Sequence, residues 1–313
     1  MKKEIKTILV LGAGVMGHGI AQLLAQHSYS VKLVDNDETV LAKALERIKD
    51  SLEILAEETD INKDSINETI RRIETSTDLA GAASDIDMVI EAVPEVEEIK
   101  EEVFAALDKL CEKDVIFATN TSGLEVFDIT SVSNPSRFLA THFFAPAQII
   151  PLVEVCPGPD TDPEILETVT DLLKDLGKEP VVMDAFVPSY IVNRIQNYIS
   201  MAVFEMLNNG WATHEQIDRA VKASLGVRLP VVGVVQTLDF NGLDLVNDIM
   251  KSKGITMPII DDKVKKGNLG TKTSRGFYDY NGQSESEICG KRDKRYLNMI
   301  SHLHNINAFE PLI

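Results

Sequence analysis

The chain has 313 residues, 44% of them hydrophobic, and a formal net charge of −18. That length allows one large or two ordinary domains with full cores, and the acidic balance argues against nucleic-acid or anionic-membrane partners. No uninterrupted apolar run approaches the roughly 20 residues of a membrane span.

The amino-terminal Met1-Lys2-Lys3-Glu4-Ile5-Lys6 leads straight into a strand and leaves no room for a signal peptide. The three cysteines, Cys111, Cys156 and Cys289, lie far apart, with no metal-type spacing and no disulfide framework. A cytoplasmic protein without a bound metal is expected.

The first segment is also the most informative. Ile8-Leu9-Val10-Leu11 reads as a buried strand, Gly12-Ala13-Gly14-Val15-Met16-Gly17 as a turn, and Ile20 to Ala25 as a helix. Val31-Lys32-Leu33-Val34-Asp35 is a second strand that ends in an acid. In this context the glycines have separate jobs. Gly12 permits a tight turn, Gly14 lets backbone N–H groups approach a pyrophosphate, and Gly17 lets the helix pack close to the sheet. Val15 and Met16 lie in the same turn, at a helix N-terminus that attracts phosphate. Asp35 can accept from both ribose hydroxyls and would repel a 2′-phosphate, so NAD is expected rather than NADP. The plainer alternative is a glycine turn in some other α/β domain.

Leu41, Leu45, Ile48, Leu52 and Leu55 then mark one face of a long helix. After a break at Thr59-Asp60-Ile61-Asn62, Ile66, Ile70 and Ile73 mark a shorter helix, so a helical hairpin is inserted before a short strand at Ile73–Thr77. Strands follow at Met88–Val93, Val115–Asn120, Phe138–Phe144, Leu152–Val155 and Pro180–Met183. Helices are expected over Ile99–Cys111 and from Asp162-Pro163 to Leu176, the latter with proline at its first position and Gly177 beyond its end. Apolar strands alternating with helices predict a mostly parallel, doubly wound sheet.

From Phe186 the strand signal stops. Tyr190 to Met206 reads as a long helix, apolar over too much of its surface to be exposed, which predicts deep burial or a dimer interface. Thr213 and Gln216 form a capping box for the next helix. Val231 to Met250 is helical with a break at Asn241-Gly242, and the residues from Gln283 onward read as polar and irregular.

Ligands of open α/β sheets bind beyond the carboxyl ends of the strands. Asp35, Glu95, Asn120, Ser122 and His142 stand at such ends. Oxidation of an alcohol by NAD needs a base for the hydroxyl proton, and histidine titrates nearest neutrality among side chains. Glu154 lies inside the apolar Leu152-Val153-Glu154-Val155, where a carboxylate is costly unless paired. A His142–Glu154 pair would explain both residues, as would a histidine that is simply buried and satisfied.

Several stretches together resemble the L-3-hydroxyacyl-CoA dehydrogenase family. They are Gly12–Gly17, Ile90-Glu91-Ala92-Val93-Pro94-Glu95, Thr119-Asn120-Thr121-Ser122, His142-Phe143-Phe144 with Pro146, Leu152–Val155, Ile191-Val192-Asn193-Arg194-Ile195 and Gly276-Phe277-Tyr278. The resemblance implies a Rossmann-type doubly wound sheet with an inserted helical hairpin over residues 1–185. It implies an all-α substrate and dimerisation domain over 186–313. Residue by residue, it implies His142 as the catalytic base, Glu154 as its partner, Ser122 on the substrate oxygen or nicotinamide, and Asn193 positioning the substrate. It places Ala92, Val93, Glu95, Lys100, Asn120 and Lys272 with the cofactor. Read by themselves, Lys100 and Lys272 would be solvated surface lysines and Asn193 a helix-start residue.

The chain also departs from the family pattern. Ala145 replaces an asparagine, Gly123 a serine, and Pro188-Ser189-Tyr190 a Pro-Gly-Phe. Where relatives carry lysines for coenzyme A phosphates, the hairpin reads Ser51-Leu52-Glu53-Ile54-Leu55-Ala56-Glu57-Glu58-Thr59-Asp60. Carboxylates there repel phosphate, unless the coenzyme lies elsewhere on the hairpin near Lys63 or Arg71.

The leading expectation is an NAD-dependent dehydrogenase of a short-chain acyl-CoA thioester, 3-hydroxybutyryl-CoA-like, working as a homodimer through its helical domain. The alternative is a dehydrogenase of a free 3-hydroxy acid, carnitine-like or sugar-acid-like, without coenzyme A. A catalytically weakened nucleotide-binding relative is a third reading, supported only by Ala145 and Gly123.

Overall fold

A computed structural model of the chain describes residues 4–59 and 64–311. Lys63 and most of the expected break at Thr59–Asn62 lie outside the described residues. The chain divides into two compact units, Met1–Tyr198 and Ile199–Ile313.

The first unit begins with strand β1 (Thr7–Leu11), helix α1 (Gly17–Gln26), strand β2 (Ser30–Val34), the hairpin helices α2 (Glu38–Glu58) and α3 (Asp64–Arg71), and strand β3 (Ile73–Ser76). It continues with α4 (Leu79–Ala82), β4 (Met88–Glu91), α5 (Glu97–Leu110), β5 (Ile116–Thr119) and α6 (Val126–Ile129). Strands β6 (Phe138–Phe143) and β7 (Leu152–Pro157), helix α7 (Pro163–Asp175) and strand β8 (Glu179–Val182) complete the sheet. Among the described residues its order is β3-β2-β1-β4-β5-β6-β7-β8. Every pair is parallel except β6 with β7, which are antiparallel.

The apolar strands follow from burial on both faces. In β1, Ile8 and Val10 join a core with Ile20 and Leu24 of α1 and Leu41 and Ile48 of α2. Leu9 and Leu11 join a second core with Phe104 and Leu107 of α5. A strand buried on both faces has no polar side to alternate, which is why β1 reads as a continuous apolar run. The order reverses between β1 and β4, so the loops leaving those strands diverge and open a crevice at their carboxyl ends.

Capping residues set several helix starts. Asp37 accepts from the Thr39 N–H to start α2, and Asp162 accepts from the Glu164 N–H ahead of Pro163 to start α7. The long helix α8 (Val192–Asn208) begins later than its apolar pattern suggests, because Tyr190 has a positive φ of 49°. Tyr190 is fully buried with Cys156 and Met183, so this residue packs with the sheet. The first unit accordingly runs past the expected boundary at residue 185, to Tyr198.

The second unit carries the remainder of α8, then α9 (His214–Asn241), α10 (Leu243–Ser252), α11 (Pro258–Lys265) and α12 (Glu285–Asn305). The Thr213–Gln216 capping box is present. By length and composition α9 could cross a bilayer, a feature that the search for uninterrupted apolar runs passes over. It contains Pro230, kinks at Gly233 with a φ of 67°, and is packed by α12.

The segment after Gln283 is a helix and not an irregular tail. Ser284 and Glu287 form a second capping box, and Ile288 turns into the core. The Ser-x-x-Glu signal is legible in the sequence, but the helix is too polar for its apolar periodicity to stand out.

One buried carboxylate organises the Gly276-Phe277-Tyr278 segment. Asp239, fully buried, accepts from the Phe277 N–H at 2.8 Å, the Tyr278 N–H at 2.9 Å and the Tyr280 hydroxyl at 3.0 Å. Burial and the Asp239 charge push the Tyr280 phenol up, so it stays a donor. Asp239→Ala would leave these donors without an acceptor and should destabilise the second unit by about 3 kcal/mol or more. Urea denaturation followed by a probe in that unit would check it.

Candidate active site

The crevice between the ends of β1 and β4 is a cavity of about 650 Å3. Gly12, Gly14, Val15, Met16, Asp35, Ala92 and Val93 all line it. Gly12 has a φ of 96°, and a Cβ there would lie 2.5 Å from the Ala92 carbonyl oxygen. Gly14 is the opposite case: a Cβ would meet nothing within 4 Å, so its backbone faces open space. Gly17 serves packing instead, since a Cβ would lie 1.7 Å from the Gly12 oxygen. Helix α1 has no side-chain cap and no acid in its first turn, so its amino end keeps its positive field. One oxygen of Asp35 accepts from the Ala13 N–H at 2.8 Å, joining the end of β2 to the glycine turn. These features fit a dinucleotide: an uncapped helix end for the pyrophosphate and a carboxylate for a ribose.

Farther along the sheet, the antiparallel register sets His142 of β6 opposite Glu154 of β7. The His142 Nδ1 lies 2.9 Å from Glu154 Oε2, and both side chains are buried. With Nδ1–H donating to the carboxylate, the lone pair is on Nε2. Glu154 Oε1 accepts from the Ile191 N–H at 3.0 Å and the Val192 N–H at 2.9 Å, where α8 begins. Asn193 is the next residue on that helix.

A second buried carboxylate sits between these two regions. Glu91 accepts from Lys100 Nζ at 2.7 Å, the Val93 N–H at 2.8 Å and the Thr119 hydroxyl at 2.6 Å. Lys100 is only 1% exposed and also reaches Glu95 at 3.4 Å. Its ammonium is therefore paired with the buried Glu91 and the partly exposed Glu95 and is not the solvated surface group that its sequence position suggests. Glu95 accepts from the Thr121 hydroxyl at 2.6 Å, the Ser122 N–H at 2.7 Å and the Gly123 N–H at 3.1 Å. Burial alone would raise the Glu95 carboxyl, but the Thr121 hydroxyl, the Lys100 charge and the Ser122 N–H outweigh it and hold it below the usual range.

Glu95 thus shapes the turn that presents Ser122, whose side chain is exposed. Asn120 accepts from the Phe143 N–H at 2.8 Å and ties the end of β5 to β6 beside His142. Lys272 lies in the second unit, 2.9 Å from Asp244, and is not among the residues gathered in the first. Burial pushes the Cys111 and Cys156 thiols up to about 11, which leaves them unreactive.

Comparison with known proteins agrees with this architecture. The model of the 3-hydroxyacyl-CoA dehydrogenase NAD-binding domain matches residues 7–186, and that of the C-terminal domain of the same enzymes matches residues 190–280. The chain belongs to the 3-hydroxyacyl-CoA dehydrogenase family. It is an NAD-dependent oxidoreductase.

Human mitochondrial hydroxyacyl-coenzyme A dehydrogenase is 36% identical over 294 residues, covering 88% of this chain and 91% of the relative. The solved 3-hydroxyacyl-CoA dehydrogenase of Archaeoglobus fulgidus is 31% identical with a TM-score of 0.75, covering 94% of this chain and 99% of that one. The 5-formyl-3-hydroxy-2-methylpyridine 4-carboxylate 5-dehydrogenase of Mesorhizobium japonicum is 27% identical over 300 residues, covering 93% and 96%.

Glu91 and Tyr190 are the residues of this dehydrogenase site that reading the sequence misses. Glu91 carries the same signal as Glu154, a carboxylate in an apolar strand. Tyr190 gives no local signal, because its place depends on the backbone turn that precedes α8.

Lys100→Met would strip Glu91 of its cation and should cost roughly 3–5 kcal/mol of stability. Pairing it with Glu91→Gln should recover part of that loss. Denaturant unfolding of the single and double variants checks both values.

Proposed function

We propose that the chain interconverts an L-3-hydroxyacyl-CoA, short-chain and 3-hydroxybutyryl-CoA-like, and the 3-ketoacyl-CoA, with His142 as general base and acid. The observation that carries this reading is the buried His142–Glu154 pair at 2.9 Å, on strands of the sheet whose crevice fits the dinucleotide. The Gly12–Gly17 turn, the α1 amino end and Asp35 would hold NAD, which would supply the hydride acceptor.

In the oxidative direction His142 Nε2 takes the hydroxyl proton. Glu154 stabilises the imidazolium that forms. The Ile191 and Val192 N–H groups hold the second carboxylate oxygen, so Glu154 cannot rotate away from the ring. Ser122 donates to the substrate oxygen from the turn anchored by Glu95, and Asn193 positions the substrate from the first turn of α8. In the reductive direction the same imidazolium returns the proton.

A second reading rests on the hairpin. Helix α2 has no basic residue in its last turn, and Glu53, Glu57 and Glu58 are exposed there. This distribution favours a free 3-hydroxy acid over a phosphate-bearing coenzyme A ester. The Mesorhizobium relative, whose name specifies a pyridine carboxylate and no coenzyme A ester, is consistent with a substrate that lacks coenzyme A.

Helix α8 supports a homodimer as the working state. Tyr198, Met201 and Phe204 fall within a third of the helix circumference and are 64%, 65% and 61% exposed in the single chain. A stripe of this kind is the mark of a surface covered by another copy.

Acetoacetyl-CoA and free acetoacetate, compared at matched concentration with NADH near neutral pH, separate the two substrates. Turnover of the thioester alone is expected, and turnover of the acid alone would establish the second reading. His142→Gln should lower kcat by at least roughly 100-fold. Light scattering at micromolar concentration should give twice the 34.6 kDa chain mass, and a monomeric mass would contradict the dimer.

A further inference from the structure

The ring of Tyr190 lies flat against the imidazole of His142, with centroids 4.7 Å apart and planes within 15°. Phe144 meets the imidazole at 4.5 Å and a 59° tilt, and Phe186 meets the tyrosine edge-on at 5.5 Å. Tyr190 is fully buried, and among the described residues its hydroxyl has no hydrogen-bond partner. Burial, with the Cys156 thiol and the Glu95, Glu154 and Glu91 carboxyls nearby, pushes the phenol up, so it stays protonated.

The backbone that delivers this ring is strained. Ser189 and Tyr190 hold positive φ values of 68° and 49°, a region side-chain-bearing residues avoid. The turn also packs tightly against Gly123, where a Cβ would lie 3.0 Å from the Ser189 nitrogen. The next two residues, Ile191 and Val192, donate their N–H groups to Glu154. One strained turn thus delivers a ring to the imidazole and two donors to its carboxylate.

We propose that Tyr190 is a positioning residue of the proton-transfer pair, its aromatic face fixing the imidazole plane so that Nε2 points in one direction. The inference rests on the reading of His142 as the base. A hydrogen bond at Nδ1 alone leaves the imidazole free to tilt about that bond, and a flat ring in contact along one face removes this freedom. The phenol hydroxyl takes no part, since it contacts no polar group of the pair. The aromatic face also favours the imidazolium that forms during turnover.

The test compares Tyr190→Phe, Tyr190→Met and His142→Gln, with NADH binding and thermal melting as checks that each is folded. Phe keeps the flat ring, whereas Met is apolar and flexible. The expectation is kcat within about twofold for Phe and a loss of roughly 10- to 100-fold for Met, with little change in the KM for NADH. A Met variant with full kcat would overturn the proposal. So would a tenfold loss in the Phe variant, which leaves the fold and the stack in place and would move the function to the hydroxyl. If His142→Gln keeps full turnover, the base assignment itself falls and takes this inference with it. Loss in His142→Gln alongside an unaffected Met variant would remove only the role of Tyr190.

Discussion

The first unit is built around the cost of burying carboxylates. An ionised carboxylate in an apolar strand is stable only where charge and hydrogen bonds replace the water it loses. Glu91 and Glu154, both essentially inaccessible, stand in β4 and β7 and impose that demand at two points of one sheet. Glu91 is met by Lys100, the Val93 N–H and Thr119. Glu154 is met by His142 and by the backbone that opens α8. Loops that would otherwise vary are held because their N–H groups satisfy buried charge.

The consequences spread from there. Lys100, held by Glu91, also reaches Glu95, and Glu95 holds the turn from Thr121 to Gly123. Asn120, one residue before that turn, reaches across to the backbone beside His142. The hydrogen bonds of Glu91, Glu95 and Asn120 therefore brace the loops between the crevice at β1 and β4 and the strand that carries His142. Glu95, Lys100 and Asn120, which the family resemblance places with the cofactor, also hold these loops in shape. Lys100 is the clearest case, buried and paired with Glu91 at 2.7 Å and Glu95 at 3.4 Å.

The two ends of the site use different physics. At the dinucleotide end, glycines remove side chains so that backbone and helix field do the binding, and Gly14 leaves space that any larger residue would fill. At the His142–Glu154 end, side chains fix one another through pairing and ring contact. The strain at Ser189 and Tyr190, of order 1 kcal/mol or more for each residue, is offset by two hydrogen bonds to Glu154 and by the burial of a large aromatic ring.

Much of this was legible in the amino-acid order. The strands of the first unit, the hairpin helices, the glycine turn with Asp35 and the Thr213–Gln216 cap follow from local pattern, because apolar periodicity and turn chemistry act over a few residues. His142 and Glu154 could be named as candidates because a charge in an apolar strand is anomalous wherever it occurs. Helix α12 escaped because its apolar face is sparse, although its Ser284–Glu287 cap was present to be read.

What only the tertiary structure decided depends on distance through space. Pairing β6 antiparallel to β7 puts His142 opposite Glu154, and that register is not written in either strand alone. The burial of Lys100 depends on strands and helices separated in sequence, and the contact of Tyr190 with His142 depends on a backbone turn that residue type disfavours. Local sequence determined most of the elements and which residues are anomalous in them; the packing of those elements determined which of them touch.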